Sequence, residues 1–529
     1  DNGDFWLMWD RGVGYYDVYN KKWNQISGIQ LGHYSWFTSM DVDKGGNAWV
    51  GTVIDGFYVI DMHNFSVTRT LDIPLLSGNT VRNGIQSIYC DRENNSVWIG
   101  LYNQGMCYYH PSMNKIVLYN KKMINGDWKG EEIRCMLETS RGEILMGTTQ
   151  GVYRYEPETK SMNRFYHEFS QKNCRVLYED SKKRVWVGTY HDGLYCIDHG
   201  KVQSYDYPDT DYQNELDFSN IRVMVEDSSG RLWVSIYGGV GLFNPENGQI
   251  NLLSEQFPEL KKYKVANTLA IDNRSRLVVG SDNGLYIYDP ATNKIWIPEE
   301  DGQANSIFNQ GSIKYNQILK DHEGTLWFAT QYGLSVLTYN GQSYTLGKEE
   351  GLSKAILNVV EDKNHDIWIS TVTSIYKIKV DRRADKYSFH VISCLSEDEI
   401  RQDDLYSFPS LMTRDNQLFL GLMNGFIAFS PENMIDNQCL NRPLFTSFRL
   451  FNVPVVSGEA YNGRVLFDKA LSYSDEVQLK YDENYITLEF SGLNFPNPSQ
   501  TSFRYQLEGF DKEWTETLFE NGQGRVVYN

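Results

Sequence analysis

Glu226-Asp227-Ser228-Ser229-Gly230-Arg231-Leu232-Trp233-Val234 reads as the end of one strand, a tight polar turn, and the start of a second strand. Gly230 stands where such a turn calls for φ > 0, and Trp233 marks the second strand. A Gly-led hairpin follows at Gly241-Leu242-Phe243. The unit recurs. Aligned on Trp233, related copies place Trp6, Trp49, Trp98, Leu145, Trp186, Val278, Trp327, Trp368 and Phe419 at one position. The spacing is 49 residues from Trp49 to Trp98, 47 from Trp186 to Trp233 and 41 from Trp327 to Trp368. Propeller blades repeat at roughly 40 to 50 residues.

One four-stranded unit cannot cover both of its own faces. Radial stacking lets each blade cover the next, and rings usually close with about four to eight blades. Ten copies therefore predict more than one body, all of it β. Residues 121–437 are expected to form a seven-bladed β-propeller, and 1–120, with three copies, part of a second propeller. After Phe429-Ser430-Pro431-Glu432 the period stops. Alternating segments such as Tyr485-Ile486-Thr487-Leu488-Glu489-Phe490 then suggest an immunoglobulin-like β-sandwich over 438–529, unfinished at Asn529. The chain opens inside a repeat at Asp1-Asn2-Gly3-Asp4-Phe5-Trp6, so its start is read as a cut edge. No run of about 18 apolar residues is present.

The balance of 68 acidic against 50 basic residues, net −18, argues against nucleic acid or an anionic membrane surface as the main partner, since phosphate binding needs a basic footprint. A small anionic ligand held by a few local Arg remains compatible. Aromatic content is 14%, with 36 Tyr and 13 Trp. Blade cores absorb much of that; loop Tyr and Trp beyond the core suit stacking on sugar rings. The seven Cys show no paired or metal-ligand spacing, and most fall in strand-like runs as small apolar residues.

One aligned position at the start of the inner strand holds Gln86, Arg134, Arg175, Arg222, Asn267 and Asn316 in six consecutive copies. Such an arc of donors near a channel mouth suits hydroxyls and carboxylates, which Arg can grip bidentately. Alternatively, these side chains satisfy loop carbonyls or neighbouring carboxylates. Hairpins expected on the same face carry Tyr102-Asn103-Gln104, Tyr190-His191-Asp192, Tyr237 and Gln331-Tyr332, and Trp36-Phe37 precedes another inner strand. Flat rings beside hydrogen-bonding groups are the side chains of sugar recognition. Packing between turns is the competing reading.

The acidic pairs Glu179-Asp180, Glu226-Asp227 and Glu361-Asp362 recur, whereas a catalytic pair is needed once; the Asp is read as a turn former. Asp41-Val42-Asp43-Lys44-Gly45-Gly46 lacks the ligand series and terminal Glu of a calcium loop. Nine scattered His show no metal spacing, and no nucleophile elbow or phosphate loop is present. The expectation is no catalytic residue, no metal and no cofactor.

The serial cores, as in Gly324-Thr325-Leu326-Trp327, resemble the two-component-regulator propeller repeat, and Phe503 to Trp514 resembles the triple-tyrosine (Y_Y_Y) domain that follows it. Together they are similar to the periplasmic sensor region of Bacteroides-type hybrid two-component systems. That resemblance implies a ligand-sensing region that binds an oligosaccharide from polysaccharide breakdown. It further implies a homodimer through the C-terminal sandwich, a downstream membrane helix, and a histidine kinase beyond it. The family carries fourteen repeats before a complete sandwich; this sequence has ten. A propeller glycosidase or lyase, or a protein-interaction propeller, are the other readings.

Overall fold

Seven sheets, antiparallel but for the short parallel strand Asn125–Gly126 in the first, follow one another between residues 114 and 434, one of the chain's two compact units. The computed structural model describes residues 5–70, 84–92, 95–102, 105–110, 117–121, 123–207, 216–298, 313–347, 350, 352, 355–383, 386–395, 409–434, 443–474, 476–493, 501–518 and 522–529. The inner strands are Ile133–Glu138, Cys174–Glu179, Asp217–Glu226, Ala266–Ile271, Tyr315–Lys320, Asn358–Glu361 and Ser410–Met412. Each neighbours the next, and the last neighbours the first, so the blades form a closed ring.

Closure is made by the backbone. Strand Val117–Asn120 pairs antiparallel with Gly425–Phe429 and becomes the outer strand of the seventh blade. The ring thus begins before residue 121, where the repeat pattern alone had placed its edge: a short outer strand carries no Trp or turn signature to mark it. The seam is also held by Arg414, whose guanidinium donates to the Thr139 and Ser140 carbonyls at 2.9 and 3.1 Å.

The ring has no single core. Among the described residues, seven apolar clusters occur, each between two neighbouring blades. Trp186 and Leu194 of the second blade, for example, pack with Ile221, Met224 and Phe243 of the third. Period-2 alternation puts these side chains on the sheet faces, and burial between wedges supplies the stability that one sheet lacks. Contact is close. A Cβ on Gly188 would lie 2.5 Å from Val176 and 2.7 Å from Ile221 of the next blade.

The recurring Asp is bonded to the recurring Trp. Indole Nε1 of Trp186, Trp233, Trp327 and Trp368 donates to Oδ2 of Asp180, Asp227, Asp321 and Asp362 at 2.8–3.0 Å. The other oxygen of Asp227 accepts the turn N–H groups of Ser229 and Arg231. Blades without Trp lose the need for that second acceptor. Thr139 and Thr413 replace Asp in the first and seventh blades, each hydroxyl accepting a turn N–H. In the fourth blade, with Val278, Asp272 takes Arg276 instead at 2.8 Å. The preceding Glu reaches across blades: Glu179 accepts from Ser140 N–H and hydroxyl, and Glu226 does the same with Ser181.

The other unit comprises residues 1–113 and 435–529. Its N-terminal part holds three blade sheets, with inner strands Phe37–Val42 and Ile85–Asp91 in the second and third. Apolar clusters lie between successive sheets there too. Phe37 is buried in one of them, so it is core and not a ligand-facing ring; Trp36 beside it is half exposed. The C-terminal part carries the β-sandwich strands. Leu444–Leu450 pairs with Ile486–Ser491, which pairs with Gln523–Tyr528, and two hairpins accompany this sheet. Among the described residues no helix is long and apolar enough to cross a membrane.

Candidate ligand-binding site

Each of the first five inner strands carries a β-bulge. The register slips between Ile133 and Cys135, Cys174 and Val176, Ile221 and Val223, Ala266 and Thr268, and Tyr315 and Gln317. The extra residue is Arg134, Arg175, Arg222, Asn267 or Asn316. A bulge frees one residue from the ladder and re-aims its side chain. All five line one cavity of about 490 Å³ at the ring axis. Asn358 and Ser410, from the sixth and seventh blades, complete the circuit, and Lys314 and Glu132 join the lining. Every blade contributes a polar group.

Those groups differ in what already holds them. Asn267 donates to Asp282 at 2.8 Å and to the Tyr315 carbonyl, and Asn316 donates to the Ile356 carbonyl at 2.7 Å. Lys314 pairs with Asp282 at 3.2 Å, and Arg134 with Glu132 at 2.8 Å. Arg222 reaches the Asn267 amide oxygen at a long 3.4 Å. Arg175 has no hydrogen bond or ion pair among the described residues; its guanidinium lies 4.3 Å from the centre of the Tyr190 ring. Nε of both Arg175 and Arg222, and the Ser410 hydroxyl, are buried without a partner. Burial, followed by the Arg222 and Arg134 charges, pushes Arg175 down to about 10. Burial also lowers Arg222, against the attraction of Asp282. Both remain cations at neutral pH.

The expected hairpin residues fall in two groups. Tyr190 stacks on Arg175 and touches His191, their rings 3.9 Å apart, while His191 meets the buried Asp217 at 3.3 Å. Tyr237, 37% exposed, pairs with Asp217 across the strands. The Gln331 N–H donates to the carbonyl of the lining residue Lys314, and Tyr332 beside it is exposed. Gln86 and Tyr102 do not join them. Both belong to the other compact unit, where Gln86 is an exposed bulge residue and Tyr102 is 62% exposed. The reason is closure: beside Arg134 stands the seventh blade with Ser410, not the preceding copy in sequence. Asn103 and Gln104 lie outside the described residues.

Lys314, Asn358 and Ser410 escaped the sequence reading. Asn358 and Ser410 stand one and two residues past the arc position, which Leu357 and Phe408 hold in the last two copies, so the aligned register carried no signal for them. The ring also brings together two histidines 43 residues apart. His322 and His365 stack at 3.5 Å, and Nδ1 of each meets the same Glu361 oxygen, His365 at 3.1 Å. Glu361 also accepts the His322 N–H, the inter-blade role of Glu179 and Glu226.

No family model matches the chain. Histidine kinase P4 of Formosa agariphila is 21% identical over 422 residues, 75% of this chain. The chain spans about 30% of the length of that curated relative. Among solved structures, the extracellular domain assigned to the hybrid two-component system BT3049 of B. thetaiotaomicron superposes with a TM-score of 0.70 at 18% identity, over 100% of this chain and 67% of that one. This chain shares the fold of that domain. A further extracellular domain, assigned to BT4673 of the same bacterium, gives 0.47 at 20% identity over 99% of this chain and 68% of its own.

Proposed function

We propose that this chain is the ligand-sensing region of a membrane-anchored two-component sensor and binds an oligosaccharide from polysaccharide breakdown at the mouth of the seven-bladed ring. The observation that supports it best is the axial cavity with a polar side chain from every blade. Amides and guanidiniums there match sugar hydroxyls and ring substituents, and Tyr190, Tyr237 and Tyr332 nearby offer faces for pyranose stacking. The region works in the periplasm, as part of a homodimer joined through the C-terminal sandwich strands. Binding biases a kinase across the membrane to the extent that the ligand prefers one arrangement of the dimer.

Binding is a better reading than catalysis. A glycosidase needs two carboxylates at the scissile bond. Glu132 is the single carboxylate among the described lining residues, and Arg134 already holds it. Titration calorimetry of the intact protein against a panel of polysaccharide-derived oligosaccharides tests the proposal. One glycan should bind without being cleaved, and Asn316→Ala should weaken it. Cleavage products would favour the enzyme; a panel with no binder would remove the glycan.

A further inference from the structure

Three consecutive blades point arginines into one cavity of a chain whose net charge is −18. Glu132 neutralises Arg134, and Asp282 is shared between Lys314 and Asn267. Arg175 and Arg222 are left with one ring contact to Tyr190, one weak amide contact to Asn267, and two buried Nε atoms that have no partner. Such an arrangement is costly in the free protein. Like charges repel at short range in a half-buried site, and a buried donor without an acceptor loses its hydration with nothing in return. Elsewhere in the ring the same residue type is used differently. Arg184 and Arg231 each meet the turn carboxylate of their own blade at 2.7 Å. Arg175 and Arg222 therefore lack the carboxylate partners that Arg134, Arg184 and Arg231 find.

We infer that the ligand carries an anionic group, a carboxylate or a sulfate, and that Arg175 and Arg222 hold it together at the mouth of the ring. The inference rests on reading that mouth as the glycan site and names the class of glycan. A planar guanidinium presents paired N–H donors that match two oxygens of a carboxylate or sulfate. Tyr190, whose ring centre lies 4.3 Å from the Arg175 guanidinium, braces that fork without using its N–H donors. Asn316, Asn358 and Ser410 across the cavity supply neutral contacts for the rest of the sugar.

The test has a part that needs no natural ligand. In the free protein, Arg175→Gln removes a charge that meets no acceptor and faces two other arginines, and gives up only the Tyr190 ring contact, so its melting temperature should stay close to that of the wild type. Sodium sulfate, compared with sodium chloride at equal ionic strength, should raise the wild-type melting temperature more than that of the variant. A melting temperature that falls in Arg175→Gln, with an unchanged sulfate response, would make the arginine structural and overturn the inference. The second part is calorimetry with oligogalacturonate, an alginate oligomer and a sulfated disaccharide, each against its carboxyl-reduced or desulfated counterpart. The charged member of one pair should bind at least about tenfold tighter, and Arg175→Gln should erase that difference. The uronate pairs and the sulfate pair tell carboxylate from sulfate. A neutral glycan that binds equally well to wild type and Arg175→Gln, but not to Asn316→Ala, would sink the anion while leaving the glycan site. Sulfate stabilisation lost in Arg175→Gln, with no glycan bound, would keep the anion site and remove the oligosaccharide.

Discussion

The two ends of the seven-bladed ring are built from the same repeat and treat their polar side chains in opposite ways. At the turn end, the buried Asp residues carry an indole, a turn N–H pair or an arginine, and Glu residues tie one blade to the next. At the mouth end, Arg175, Arg222 and Ser410 keep buried donors without acceptors. Buried polar groups are normally satisfied, so repeated pairing marks scaffold, and several unpaired donors lining one cavity mark a site. Charge alone would have misled, because the turn end is richer in paired carboxylates.

Breaking the turn end should cost most. Trp186→Ala empties a fully buried position between two blades and takes the indole from Asp180, so unfolding in denaturant should show a loss of about 3–5 kcal/mol. Asp227→Ala keeps the packing but leaves the Trp233 indole and two turn N–H groups without their acceptor; about 3 kcal/mol should be lost. Gly188→Ala tests blade contact directly, with an expected loss of about 1–3 kcal/mol from overpacking.

Acid should act on the same end. Burial pushes the Asp227 carboxyl up, but hydrogen bonds from Trp233, Arg231 and Ser229 outweigh it, and its folded value lies below the ordinary one. Its contribution is therefore fully present above about pH 4, the unfolded value. It fades as pH falls through the folded value. Melting curves should show an acid loss of stability below pH 4 that is smaller in Asp227→Asn than in the wild type. The smallest effect should come from the same register in the other unit. Gln86 is exposed on its bulge, so Gln86→Ala should change stability by less than about 0.5 kcal/mol and leave glycan affinity untouched. A loss of binding there would show that the mouth of the ring is not the whole site.

Much of this was legible from local pattern. The Asp-to-Trp spacing of six residues carries the turn, the hydrogen bond and the blade interface together, so each copy announced itself. The bulge register of Arg134, Arg175, Arg222, Asn267 and Asn316 was visible for the same reason: one polar position repeats in the first five inner strands of the ring. Gln86 and Tyr102 looked equivalent because register is a property of the repeat and says nothing about which copies share a ring.

By itself, then, the sequence determined the wedge: its period, its turn chemistry and the direction in which its donors point. Those depend on contacts within a few residues or one hairpin. Only the tertiary structure decided which wedges close on one another, through Val117–Asn120 pairing with Gly425–Phe429 and Arg414 gripping a turn 275 residues away. That choice gathered Lys314, Asn358 and Ser410 around the arginines and left Gln86 out, because a cavity is defined by neighbours in space that no periodicity encodes.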